Sequence, residues 1–168
     1  MATNSKAPEN FIVSVLTQLD SVLYEPGEVI VGYKNQVHDL FFIAQGVASL
    51  NGYFDNSEGE TKKMCIVRLR EGSWYGEFQI LLGVESNFEL EASFPHDRHS
   101  WYPKREDYQN FIQIFKLSKN VIKNLHKEFP EFSRFLILRA LQRRCFFMKV
   151  FQHSQNYLEF KRKRVLND

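Results

Sequence analysis

The sequence predicts a mainly β protein with flanking helices: an antiparallel β-roll of the jelly-roll kind, with one helix before it and two after it. Three observations carry this. From Ser21 to Leu117 the apolar residues fall in short runs, several of them β-branched or aromatic, spaced by turn signals. Ahead of these runs, Phe11, Ile12, Val15, Leu16 and Leu19 recur at helical spacing. Behind them, two further stretches with helical periodicity are divided by Phe129-Pro130.

Residues 1–8 are small and polar and read as a frayed end. Residues 9–19 read as the first helix, entered at Pro8. A short strand is expected at 21–24. Pro26-Gly27 then turns the chain, because Pro presets one turn angle and Gly supplies the other. Val29-Ile30-Val31, Leu40-Phe41-Phe42-Ile43-Ala44 and Val47-Ala48-Ser49-Leu50 are the next apolar runs. Gln45-Gly46 between the last two reads as a hairpin turn. Residues 55–63 are polar and read as a loop, and 64–69 as a strand. In 89–94, Phe88, Leu90 and Ala92 share one face while Glu89, Glu91 and Ser93 share the other. Residues 95–110 read as a loop insertion and 111–117 as the last strand. Ser118 suits a helix cap. Pro130 opens the final helix, with Glu131 favourable in its first turn. Its apolar stripe is read as Phe132, Phe135, Leu136, Leu138, Leu141, Cys145, Met148 and Phe151, mostly core, with Phe146 and Phe147 partly off it and facing a partner. The expected organisation is a flexible 1–8, a domain over 9–152 with closing helices at 118–152, and a polar, basic tail at 153–168.

At 168 residues the chain fits one domain. Sixteen Phe and seven Tyr predict an aromatic-rich core. A net charge of +2 argues against a dedicated nucleic-acid binder, whose basic surplus is larger. Cys65 and Cys145 are too few for a disulfide framework and read as buried free thiols in a reducing compartment. No apolar run has the length of a membrane span. These features predict a cytoplasmic protein, or one at the cytosolic face of a membrane assembly.

The stretch Tyr75-Gly76-Glu77-Phe78-Gln79-Ile80-Leu81-Leu82 draws attention as a site. Gly76 reaches backbone angles closed to other residues. Glu77 then sets a carboxylate at the start of a helical turn, where unpaired N–H groups point outward and attract anions.

Taken together, Pro26-Gly27-Glu28, Phe42-Ile43-Ala44-Gln45-Gly46 and Tyr75-Gly76-Glu77, in this order and at these spacings, resemble the cyclic nucleotide-binding domain superfamily. The match runs over roughly residues 9–150. The break at Phe129-Pro130-Glu131-Phe132 and the run Leu138-Arg139-Ala140-Leu141-Gln142-Arg143-Arg144 are most similar to the closing helices of channel-type members, including ciliate potassium channels and the ether-à-go-go group. The resemblance implies a phosphate-binding cassette beginning at Gly76, with cAMP or cGMP as ligand. It places Gly76, Glu77, Phe78, Ser86 and Asn87 at the ligand, with Glu77 on the ribose. It implies no catalytic residue and no enzyme activity. It also implies a protein partner or channel assembly, and by analogy a homo-oligomer.

The chain departs from that pattern where the cassette should close. The phosphate-pairing Arg of nucleotide-binding members falls at Ser86, in Glu85-Ser86-Asn87-Phe88, and no Arg or Lys lies between Glu77 and Phe94. Glu85 adds negative charge beside that place. Removing one partner of a buried charge pair costs about 2–5 kcal/mol, a loss of roughly tens- to thousands-fold in affinity. Ser86-Asn87 also resembles the ether-à-go-go group, whose homologous domains do not depend on cyclic nucleotides. Two loop glycines of the family are replaced, at Lys34 and Val37. The sequence therefore predicts a non-enzymatic regulatory or scaffold module without a bound cofactor. A cAMP or cGMP sensor regulating an ion channel or kinase is the alternative.

Three other constellations carry less weight. His96 and His99 flank Asp97-Arg98, but no Cys or third His lies close enough to complete a metal site. A cupin would share the roll but needs a His-x-His pair that is absent. The run Lys161-Arg162-Lys163-Arg164 reads as a solvated helix end; peripheral attraction to an anionic membrane would add at most about 1 kcal/mol per basic residue.

Overall fold

The computed structural model describes residues 9–55, 60–93 and 111–165, leaving aside the side chains of 132 and 161–165. The loop insertion with His96 and His99, and the side chains of the basic run, lie outside that description.

Helix α1 (Glu9–Leu16) leads into strands β1 (Asp20–Tyr24), β2 (Val29–Val31), β3 (Asp39–Gln45), β4 (Val47–Asp55), β5 (Thr61–Arg70) and β6 (Trp74–Tyr75). The short helix α2 (Glu77–Leu82) follows, then β7 (Glu89–Ser93), β8 (Ile112–Ser118), α3 (Lys119–Glu128) and α4 (Pro130–Val165). Two antiparallel four-stranded sheets, ordered β1-β8-β3-β6 and β2-β7-β4-β5, face each other. This is the expected roll with its three flanking helices.

Strand alternation fills the space between the sheets. Ile43 of β3 and Ile114 of β8 face Ala48 and Leu50 of β4 and Leu90 and Ala92 of β7, and all six are essentially inaccessible. The partition expected of β7 is observed, with its acidic residues on the far face. There, Lys63 bridges Glu89 at 2.9 Å and also pairs with Glu91, while Tyr53 Oη donates to Glu89 at 2.7 Å.

Several local expectations are corrected. Gln45-Gly46 is not a hairpin turn: β3 and β4 lie in different sheets, and both edges of β3 are taken, by β8 and β6. The dipeptide is a corner. Gly46 takes a left-handed φ of 93°, and a Cβ there would lie 3.1 Å from Ile112 Cγ1. Turn chemistry announces the change of direction but not the sheet that receives the next strand. Strand β5 begins at Thr61, inside the expected polar loop, because Thr61, Lys62 and Lys63 pair with Asp55, Phe54 and Tyr53 at an exposed sheet edge where charge is favoured. Helix α1 ends at Leu16 rather than at 19, although Leu19 still packs on the core. Both cysteines are free, as expected, but exposed rather than buried.

The largest correction concerns α4. Phe135, Leu138, Leu141, Cys145 and Met148 are exposed, and the inward side is built instead on Ser133, Ala140, Phe147 and the half-buried Phe151. Phe147 is 2% exposed and is core, not a partner contact, whereas its neighbour Phe146 is 55% exposed. The apolar residues of α4 cover more than one face, so periodicity alone names a stripe without saying which stripe the roll receives. The helix also continues through the basic run to Val165. Among the described residues no helix is long and apolar enough to cross a membrane.

Candidate functional site

The entry to α2 is fixed by sterics. Gly76 has a φ of 108°, and a Cβ added to it would sit 2.6 Å from the Asp39 carbonyl oxygen. Val37, at one of the replaced loop glycines, presses on the same place at 3.1 Å. Lys34, at the other, keeps a left-handed φ of 59°. Gly76→Ala is therefore expected to destabilise the fold by about 2–3 kcal/mol, through backbone strain and overpacking together, read as a lowered urea midpoint with unchanged slope.

Beyond α2 the chain returns to β7 through Ser86, which is 0% exposed. Gln79 Nε2 donates to Tyr75 Oη at 2.7 Å, Tyr75 Oη lies 2.5 Å from Ser86 Oγ, and Ser86 Oγ donates to the Phe88 carbonyl at 2.5 Å. With the Ser86 proton on that carbonyl, Tyr75 must donate to Ser86, so three side chains form one directional relay. Burial pushes the Tyr75 hydroxyl well above its ordinary pKa, which keeps its proton in place. The backbone of Ser86 is held as well: its N–H donates to Asn35 O and its carbonyl accepts from Lys34 N–H. The residue standing where a phosphate-pairing cation was sought is a neutral hydroxyl with its donor committed and its surroundings closed.

A cation reaches this region from elsewhere. Arg143 of α4 places Nε 2.9 Å from Glu77 Oε1, donates from Nη2 to the Trp74 carbonyl at 2.7 Å, and lays its guanidinium over the Trp74 and Phe147 rings at 4.4 and 5.3 Å. The contact with Glu77 is an ion pair; neither carboxylate oxygen has a hydrogen bond of good geometry. Burial raises the Glu77 pKa above its ordinary value. Arg143 pulls against that rise, as to a lesser degree do the residue's own N–H and the Trp74 side chain. Burial likewise lowers the pKa of Arg143, against the pull of Glu77.

Beside this pair, aromatic rings from α4 cover the roll. Phe147 sits 6.1 Å from Phe78 and 6.2 Å from Phe88, centroid to centroid. Phe151 stacks on Phe54 at 4.8 Å and meets Phe88 edge-on at 5.7 Å. Gly52 makes that docking possible, since a Cβ there would lie 2.9 Å from the Phe151 ring.

Of the five residues singled out in the sequence, Gly76, Glu77 and Phe78 lie together at the start of α2. Ser86 is brought beside them through Tyr75. Asn87 points outward, with Nδ2 4.0 Å from Met148 Sδ. Arg143 was missed as a site residue. Its run carries part of the family resemblance, but nothing in a helical Gln-Arg-Arg sequence says which Arg turns toward the roll. Among the described residues no group of three His, Cys, Asp or Glu side chains is placed to hold a metal ion.

No family model matches the chain, and no curated protein matches it. Solved structures do. The chain is similar to the regulatory domain of Toxoplasma gondii PKA in co-crystals with cAMP, at 13% identity and a TM-score of 0.57, over 79% of this chain and 42% of that one. It is also similar to the regulatory subunit of a cAMP-independent protein kinase A from Trypanosoma brucei, at 16% identity and a TM-score of 0.60, over 92% of this chain and 46% of that one. The chain spans less than half the length of either. Together with the two-sheet roll and its flanking helices, these likenesses show that the chain has the cyclic nucleotide-binding fold.

Proposed function

We propose that this chain is a non-enzymatic regulatory or scaffold module built on the cyclic nucleotide-binding fold, one that does not take up cyclic nucleotide. The observation that carries the reading is the state of Ser86: fully buried, hydrogen-bonded to Tyr75 and Phe88, and roofed on the Phe88 side by Phe147 and Phe151. An anionic ligand there would need a cation that Ser86 does not supply, and room that α4 occupies. Arg143 is no substitute, being engaged by Glu77 and Trp74. The exposed apolar seam of Leu138, Leu141 and Met148 supports a scaffold role with a protein partner; a channel-type assembly at the cytosolic face rests on the resemblance of the closing helices alone. The competing reading, a cAMP or cGMP sensor, draws on the fold and on the resemblance at Gly76 and Glu77.

Isothermal titration decides between them. Neither cyclic nucleotide is expected to bind at millimolar concentration. Binding tighter than about 10 µM, roughly 7 kcal/mol, would overturn the proposal. Ser86→Arg is expected to stay silent as well, because the phosphate place is closed and not merely uncharged. Restored binding in that variant would mean that α4 leaves the pocket open.

A further inference from the structure

A cavity of about 820 Å³ lies apart from the Ser86 pocket, between α1, α3, α4 and one side of the roll. Gly76, Phe78, Ser86 and Asn87 take no part in it; Glu77 does. Its walls are otherwise largely apolar, with Phe11 and Val15 from α1, Phe42 from β3, Leu81 from α2, Leu125 from α3 and Phe135 from α4. The volume falls in the range of about 300–1,000 Å³ typical of small-molecule sites, which are concave, mostly apolar and marked by a few placed polar groups.

Glu77 is that polar group. Its side chain is only 10% exposed and lines the cavity; Oε1 lies 2.9 Å from Arg143 Nε, with the residue's own N–H and the Trp74 side chain nearby, yet neither oxygen has a hydrogen bond of good geometry. A carboxylate offers about four lone-pair sites, so acceptor capacity remains beside the ion pair for a further donor. Arg143 also borders the cavity but already faces Glu77, the Trp74 carbonyl and two rings. The remaining polar neighbours are Arg139, Gln142, His126, Ser133 and the Trp74 indole, which already acts on Glu77. Ser133 is satisfied, with Oγ donating to the Phe129 carbonyl at 3.0 Å.

We propose that this cavity binds a small amphiphile, an apolar chain or ring body carrying a hydrogen-bond-donating hydroxyl or amine that reaches Glu77. An anionic head at Glu77 is disfavoured, since it would bring a second negative charge against a buried carboxylate whose facing Arg143 is already engaged. The body would lie along α1 and α4, where Leu16 and Phe146 form an exposed apolar rim. The cavity shares Glu77 with the ribose place that the resemblance implies and is otherwise built from different residues, so amphiphile binding and cyclic-nucleotide binding are measured separately.

The test titrates the full chain with decylamine, decanol and decanoate below their aggregation limits, by calorimetry, with circular dichroism as a folding control. Decylamine and decanol are expected to saturate one site, each about tenfold or more tighter than decanoate. Glu77→Gln, which keeps an acceptor but removes the charge, is expected to weaken decylamine about tenfold while leaving decanol nearly unchanged. Leu16→Trp, at the exposed rim and outside the core, is expected to weaken both by obstruction. Absence of saturable binding by decylamine and decanol, decanoate binding as tightly as decylamine, or affinities unmoved by both variants would each overturn the proposal.

Discussion

Replacing Phe147 with Ala is expected to cost about 3–5 kcal/mol of stability, whereas Phe146→Ala one residue earlier should stay within roughly 0.5 kcal/mol. The contrast follows from position alone. Phe147 is 2% exposed, touches the Phe78 and Phe88 rings and lies under the Arg143 guanidinium; Phe146 is 55% exposed at the cavity rim. Deleting the buried ring removes its apolar area from the core and leaves a void that Phe78 and Phe88 can only partly close. At roughly 2–4 °C per kcal/mol for a chain of this size, Phe147→Ala should melt about 10 °C lower. Thermal and urea unfolding of the two variants side by side provide the measurement. Equal losses would mean that α4 does not dock in this rotation, and the closed Ser86 pocket would then lose its roof.

That comparison also marks how far the sequence could be read. The roll was legible because its strands alternate: Leu90 and Ala92 against Glu89 and Glu91 can face the core in only one way. The cap at Ser118, whose hydroxyl accepts from Val121 N–H at 3.4 Å, and the break before Pro130 were legible because each has a local cause. The rotation of α4 had no such local cause. Leu138, Leu141 and Met148 are as apolar as Phe147, and the choice among them is made by Gly52, Phe54 and Phe88, which are distant in sequence and present a ring-shaped recess. The corner at Gly46 was misread for the same reason, since sheet membership is a long-range property. At the site, the missing cation at Ser86 could be read from the sequence. What fills its place could not, because Tyr75, itself held by Gln79, becomes a hydrogen-bond partner of Ser86 only when α2 returns the chain to β7.

Arg143→Met should be the most damaging surface-accessible change, at about 3–5 kcal/mol near neutral pH. Met retains an apolar stem to pack on Trp74 and Phe147 but removes the cation facing Glu77, leaving a carboxylate with only 10% of its side chain exposed and no opposing charge. The loss should depend on pH in a definite direction. Burial already raises the Glu77 pKa above its ordinary 4.5, while Arg143 holds it back; without Arg143 it rises further. A raised carboxyl pKa means that the folded state binds more protons than the unfolded one. The stability linked to that proton is therefore complete below 4.5 and is lost as pH rises through the folded value. The deficit of Arg143→Met relative to the parent should accordingly shrink as pH falls from about 7.5 to about 5, because protonation neutralises the stranded carboxyl more readily in the variant. Adding Glu77→Gln to Arg143→Met should recover much of the loss and flatten its pH dependence, since a neutral amide tolerates burial that a lone carboxylate does not. Urea unfolding across that pH range measures both effects. A deficit that grows on acidification, or a double variant no more stable than Arg143→Met alone, would show that α4 is held to α2 by its rings and not by this charge pair.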